Sequence, residues 1–243
     1  MTSTRKLVVI GLCVGAIAFT GCFGGSSVRV NAAKVKSAHK VAIAGVCVQK
    51  TVVALRGTKN VGVFQGDGAK MLVDPITAGL NAALPAEWKG VEVVPLAAVA
   101  DASRPVGKYR VCANGVDPML PEGFIGTPDK AYLGALATKL GVDAVLVASG
   151  DPMIRFFDGK GAKAYFPSVG AGFELTLVDR AGEELASIQL KNFETEYLPE
   201  SAKDTVDAGK LGAAVAKLIA QGFVAVVNGG EFTPPSKPGL SGL

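Results

Sequence analysis

The chain is poor in the residues from which many enzymes build an active site. It holds one histidine, His39, in 243 residues, so neither a histidine-pair metal site nor an HExxH zinc site can be assembled. There is no GxSxG nucleophile elbow and no GxxxxGKS or GxxxxGKT phosphate loop. Gly57, Gly62, Gly66 and Gly68 are spaced wrongly for a dinucleotide fingerprint, and no clear helix begins on them. Ser37-Ala38-His39-Lys40 matches SxxK in letters only: that chemistry needs the serine at a helix start, and here it leads into an apolar, strand-like run. Charge is scarce too, at 19% of residues. With Arg5 and Lys6 set aside, 23 basic residues face 21 acidic ones. That balance argues against a nucleic-acid binder, which would show a basic stripe.

What is there begins at the N-terminus. Arg5 and Lys6 precede an apolar run, Leu7–Phe19, and small residues lead to Cys22. A charged start, an apolar core and a small-residue cleavage point make a secretory signal peptide, 1–21. The run is 13 residues long, short of the ~20 needed to span a bilayer as a helix. Phe19-Thr20-Gly21-Cys22 resembles the lipobox of bacterial lipoproteins. The resemblance implies that Cys22 is diacylated, that the signal is cut before it, and that its new amine is acylated. Cleavage there leaves 222 residues, enough for one large domain or two small ones. Acyl chains then supply the membrane attachment, each buried CH₂ contributing roughly 0.8 kcal/mol. Phe23, rather than Asp, follows the cysteine, which favours the outer over the inner membrane.

Of four cysteines, Cys13 lies in the expected signal, and Cys22 is the one that the lipobox resemblance implies to be lipidated. Cys47 and Cys112 remain, an even pair in an oxidising compartment. They form either a disulfide or two buried thiols packed as small hydrophobes.

Residues 22–37 read as a flexible tether, with Gly24-Gly25-Ser26-Ser27 at its start. The domain is expected over 38–228. The β-branched run His39–Leu55 predicts strand, bent or broken at Gln49-Lys50-Thr51. Residues 56–68 are Gly-rich and read as loop. Leu72, Ile76, Leu80 and Leu84 recur at helical spacing, with Pro75 as a start or kink and Pro85 as the stop. Val91, Val93 and Val94 form a short strand, and a short helix follows near Leu96–Asp101. Residues 96–126, with Pro105, Pro118 and Pro121, are otherwise unreadable.

Thr127-Pro128-Asp129 opens a helix with Tyr132, Leu133, Leu136, Ala137 and Leu140 on one face, and Gly141 closes it. Ala144–Ala148 is apolar on both faces, as a covered central strand is. Met153–Phe156 and Lys163–Phe166 flank a Gly-rich turn and form a hairpin or arm bearing Phe156, Phe157, Tyr165 and Phe166. Its arms look too short for the ~9–11 residues of a membrane barrel strand. Phe173, Leu175 and Leu177 alternate with polar residues, as do Ala186, Ile188 and Leu190. Asp179–Glu183 turns the chain between them, giving an antiparallel hairpin with one wet face. Ser201–Asp204 resembles a capping box before a last helix carrying Val206, Leu211, Val215, Leu218 and Ile219. A Pro/Gly tail, 229–243, is expected to be disordered. The fold class is α/β (α+β), a single domain with a mixed β-sheet, about three packed helices and one clear antiparallel hairpin.

Leu140-Gly141-Val142-Asp143-Ala144 and Leu177-Val178-Asp179-Arg180-Ala181-Gly182-Glu183 resemble segments of envelope lipoproteins related to the amino-terminal domain of the Tol-system translocation protein, a group that includes the curli-secretion lipoprotein. The resemblance covers roughly 40–222. It implies a non-enzymatic binding or assembly module on the periplasmic side, acting through envelope protein partners. A ring-forming outer-membrane secretion channel component is the alternative it also implies. The residues leave a further alternative open: Asp143, Asp151 and Asp158 lining a cleft after the central strand, with carboxylates near Asp151 and Asp158 serving an envelope hydrolase. No catalytic, cofactor or metal residue is assigned, and the expected sites are Cys22 for lipid and Cys47 with Cys112 for a disulfide.

Overall fold

The computed structural model describes residues 28–48, 51–56, 59–65, 67–103, 129–150, 152–158, 165–195 and 207–233. The signal segment, Cys22, Cys112, Thr127, Pro128, Asp151 and the 201–206 segment lie outside them.

The centre of the fold is a hairpin longer than the sequence suggests. One arm is β6 (Ala144–Gly150) followed by β7 (Met153–Asp158), and the other is the single 15-residue strand β8 (Tyr165–Asp179). Ala144 pairs with Asp179, Gly150 with Phe173, Met153 with Gly170 and Asp158 with Tyr165. The register is therefore unchanged across the interruption at 151–152. At that level Gly150 is required: a Cβ there would sit 2.5 Å from the Gly172 carbonyl oxygen. The expectation of short arms fails because Pro167 and Gly170, residues that ordinarily weaken a strand, lie in register within β8.

A second long run flanks the first. β2 (Lys40–Val48) is parallel to β6, and β3 (Thr51–Arg56) is parallel to β7. The break expected near Gln49 thus separates two strands at the level where β6 gives way to β7. β4 (Lys59–Gln65) folds back antiparallel on β3. This corrects the loop expected over 56–68: glycine content hides a paired strand in which Val63 opposes Val53. β5 (Glu92–Val93) pairs parallel to the start of β2. β9 (Glu184–Glu194) pairs antiparallel with β8, and β1 (Val28–Val30) with β9. The order is β4-β3-β7-β8-β6-β2-β5, with β9 and β1 branching from β8.

Helices cover both faces of this mixed sheet. On one lie α2 (Asp67–Glu87) and α5 (Ala208–Val227), packed on each other. Leu72, Ile76, Leu80 and Leu84 of α2 are fully buried with Leu211, Val215, Ile219 and Phe223 of α5. Neither expected boundary of α2 holds, since Pro75 and Pro85 both lie inside the helix. A proline in a helix forfeits a hydrogen bond and crowds the preceding turn. Here the buried leucine stripe outweighs that cost. Pro75 also lies where α5 comes closest, so near that a Cβ on Gly212 would be 2.8 Å from the Pro75 carbonyl carbon. α5 is long and apolar enough to cross a membrane by length and composition, yet 61% of its most apolar window is buried in this packing. Its N-cap is Asp207, whose side chain accepts from the Lys210 N–H, rather than the 201–204 box.

On the other face lie α3 (Leu96–Ser103) and α4 (Lys130–Leu140), over Ala42, Val145, Val147 and Val178. The α4 cap is Asp129, which accepts from the Tyr132 N–H at 3.0 Å, and Gly141 ends the helix at φ +65 as expected. The expected wet face of the β8–β9 hairpin is partly dry: Thr176 and Ser187 are each 3% exposed.

Order also starts and ends outside the expected domain limits. β1 and α1 (Ala32–Lys36) occupy most of the second half of the segment read as tether. Backbone pairing with β9 fixes β1 despite its weak apolar pattern, and the Asn31 side chain caps α1 by accepting from the Lys34 N–H. At the other end Phe232 packs against the main core, so the tail is not free from 229. The architecture is the single α/β domain with a mixed sheet that the sequence predicts.

Candidate interaction site

The lower end of the sheet, where β2 and β6 begin and β8 turns into β9, is built from charged residues. Asp143 immediately precedes β6. Its Oδ2 accepts from the backbone N–H groups of His39 and Lys40, each at 3.0 Å. Its Oδ1 lies 3.2 Å from Arg180 Nη2, and Arg180 Nε donates to the Val142 carbonyl at 2.6 Å. One carboxylate thus ties the starts of two parallel strands to a turn 37 residues further along the chain. Partial burial pushes the Asp143 carboxyl upward. The His39 and Lys40 N–H groups, then the Arg180 and His39 charges, outweigh it and hold the pKa below the usual carboxylate range.

The turn has its own internal bonds. Asp179 Oδ1 accepts from the N–H groups of Ala181 and Glu183, both at 2.9 Å, and Gly182 takes φ +78. This is the Asp-x-x-Gly-Glu turn read from the sequence. α4 presses directly on it: a Cβ at Gly134 would lie 2.6 Å from the Gly182 nitrogen. Around the turn Lys34 pairs with Glu183, while Glu184 receives Lys130 at 2.5 Å and Arg29 at 3.2 Å.

Between α1 and this turn lies an open pocket of about 400 Å³ lined by Lys34, Ser37, Asp143, Asp179, Arg180 and Leu185. Both signs of charge are present, and the charged side chains that line it are held in ion pairs or hydrogen bonds. Asp143 is an ionised acceptor already engaged by three donors, which is the opposite of a poised base. What the arrangement offers is a polar, sign-alternating rim suited to binding a surface. Among the described residues, no three His, Cys, Asp or Glu side chains gather as a metal site would require.

Asp143 and Asp158, expected to line one cleft, are not brought together. Asp143 and Asp158 stand at opposite ends of the β6–β7 arm, roughly 45–50 Å apart along an extended strand. Asp143 is also at the wrong end of the sheet for the cleft expected from sequence. His39 is exposed and contributes its backbone N–H to Asp143. Phe157 pairs in register with Phe166, and Asp158 with Tyr165. Cys47 pairs in register with Ser149. Arg180, Lys34, Glu183 and Glu184 are not legible as a group in the sequence. Their only signal there is the turn motif, and their meeting depends on α1 and α4 arriving at that turn.

No protein-family model matches the chain, and no curated protein matches it. Among solved structures it is similar to the PelC dodecamer from Paraburkholderia phytofirmans, at TM-score 0.30 and 11% identity, over 82% of this chain and 97% of that one. It is similar to the C-terminal domain of LpoB from Salmonella enterica, at TM-score 0.26 and 17% identity, over 66% and 93%. A single-substitution variant of the PelC dodecamer gives TM-score 0.28 and 17% identity over 79% and 96%. Likeness at these scores is loose and carries no argument about function.

Proposed function

We propose that the chain is a lipid-anchored binding and assembly module of the bacterial envelope. It sits on the periplasmic side, favours the outer membrane, and acts through protein partners rather than by catalysis. The observation that carries this reading is the N-terminal pattern, Arg5-Lys6, apolar run, Thr20-Gly21-Cys22, followed at Val28 by the first strand of a folded domain. Cys22 lies about 20 Å of extended chain from that strand, so a lipidated protein is held close to the bilayer. The saturated ion pairs around Asp143 and Arg180 suit contact with a protein surface. The separation of Asp143 from Asp158 removes the basis for a carboxylate pair between them. The test is a Cys22→Ala protein expressed in a bacterial envelope. It is expected to lose its acyl mass and leave the membrane fraction. If it is processed and membrane-bound like the wild type, the lipid anchor is wrong.

The ring-forming channel component draws on one observation: β4 ends the sheet with no described strand on its outer side. An open edge is a template for pairing with another chain. Light scattering on the detergent-extracted, lipidated protein separates the readings. A large, defined ring favours the channel, and a monomer or dimer favours the accessory module.

A further inference from the structure

The ion pairs around the pocket between α1 and the β8–β9 turn do not use up its hydrogen-bonding capacity. A guanidinium carries five N–H donors. In Arg180, Nε donates to the Val142 carbonyl and Nη2 reaches Asp143, and among the described residues nothing engages Nη1. Those two bonds hold the planar group in place, so its remaining edge is a preorganised donor for a carboxylate. Asp179 is the counterpart. Its Oδ1 accepts from the Ala181 and Glu183 N–H groups, and among the described residues nothing engages Oδ2. Ser37 donates its hydroxyl hydrogen to the Lys34 carbonyl at 2.8 Å, so its oxygen is left as an acceptor. The apolar part of the lining includes Leu185, which is 3% exposed.

This lining selects a class of ligand. Lys34 and Arg180 balance Asp143 and Asp179, so the lining carries no net charge. A lone anion would meet two carboxylates, and a lone cation would meet two basic groups. No aromatic ring lines the pocket among the described residues, so a nucleobase has nothing to stack on. A peptide with an acidic and a basic side chain next to each other satisfies both signs at once, and its backbone N–H groups suit the Ser37 oxygen. We propose that this pocket docks a partner-protein segment in which an acidic and a basic side chain adjoin, the carboxylate on the unused edge of Arg180 and the cation on Asp179. The inference rests on the reading of the chain as a module that works through protein partners. The binding itself does not require the lipid.

The experiment titrates the full chain, isotope-labelled and extracted in detergent, with N-acetyl-Asp-Lys-amide and follows the backbone amides by NMR. The expected result is saturable shifts at Ala181 and Glu183, which flank the pocket, and none at Gly150, at the far end of β6. N-acetyl-Asn-Lys-amide and N-acetyl-Asp-Gln-amide each lack one charge and should bind about tenfold more weakly. Ala181→Phe fills the pocket while keeping the backbone N–H that Asp179 accepts, and should abolish the shift at Glu183. If that variant fails to fold, Arg180→Gln takes its place with the same expected loss. No saturable shift, an equal response to all three peptides, or binding that survives in a folded variant overturns the proposal. The same titration on Cys22→Ala separates this from the anchor. Peptide binding kept by a Cys22→Ala protein that stays on the membrane places the failure on the anchor alone. Binding absent from a wild type whose anchor holds places it on the pocket.

Discussion

The Asp143 carboxylate and the Arg180 guanidinium meet at 3.2 Å, joining the start of β6 to the β8–β9 turn. Both side chains are more than one-third exposed, 37% and 52%, so the ion pair itself contributes at most ~1 kcal/mol. The larger contribution comes from the two N–H groups of His39 and Lys40 that the same carboxylate accepts. Asp143→Ala is therefore expected to lower stability by about 1–3 kcal/mol in chemical denaturation.

The same group gives a pH signature. The native pKa of Asp143 lies below its ordinary value. A depressed carboxylate contributes stability that is fully present above the unfolded pKa of ~3.9 and lost as pH falls through the native pKa. The stability gap between wild type and Asp143→Asn should be constant near neutrality and close below about pH 4. A gap that widens on acidification would contradict this assignment.

The contact between Gly212 and Pro75 sets the spacing of α2 and α5. A Cβ on Gly212 would lie 2.8 Å from the Pro75 carbonyl carbon and 2.9 Å from the Ile76 nitrogen. Backbone on both sides leaves little room to yield. Gly212→Ala is expected to cost about 1–3 kcal/mol, although alanine is the better helix former by ~1 kcal/mol. A stabilised variant would mean that the helices slide apart freely.

The same contact marks where the sequence stops being readable. The leucine and isoleucine stripes of α2 and α5 are visible because helical periodicity is local, and Gly141 and Gly182 are visible because a left-handed residue is a local demand. The continuation of α2 through Pro75 is not, since it depends on a glycine in another helix far along the chain. β4 is hidden for a related reason: Gly62 weakens its local strand signal, and pairing with β3 restores it. At the candidate site, Asp143 and the Asp179–Glu183 turn read as separate punctuation. Only the fold brings Arg180 to Asp143 and Lys34 to Glu183.

Trp88 packs edge-on against Phe223, with ring centroids 5.3 Å apart. It is the one tryptophan of the chain, so fluorescence reports directly on this part of the core. Phe223 is fully buried, and Phe223→Ala is expected to cost about 3–5 kcal/mol. The native emission should shift to the red as Trp88 loses its cover. Unchanged emission with unchanged stability would place Trp88 elsewhere.

β1 is the most lightly held strand on its edge of the sheet. It is three residues long, pairs with β9 alone among the described strands, and leaves Val28 and Arg29 exposed. Short edge elements open at low free energy. Hydrogen exchange in β1 and α1 should therefore be the fastest of the paired backbone on that edge, and far faster than in β6, which is buried throughout. Arg29 holds Ser187 at 3.3 Å and Glu184 at 3.2 Å. Arg29→Ala should speed exchange in β1 and α1 severalfold while leaving β6 unchanged. Exchange in β1 as slow as in β6 would instead mean that β1 opens only with the core of the sheet.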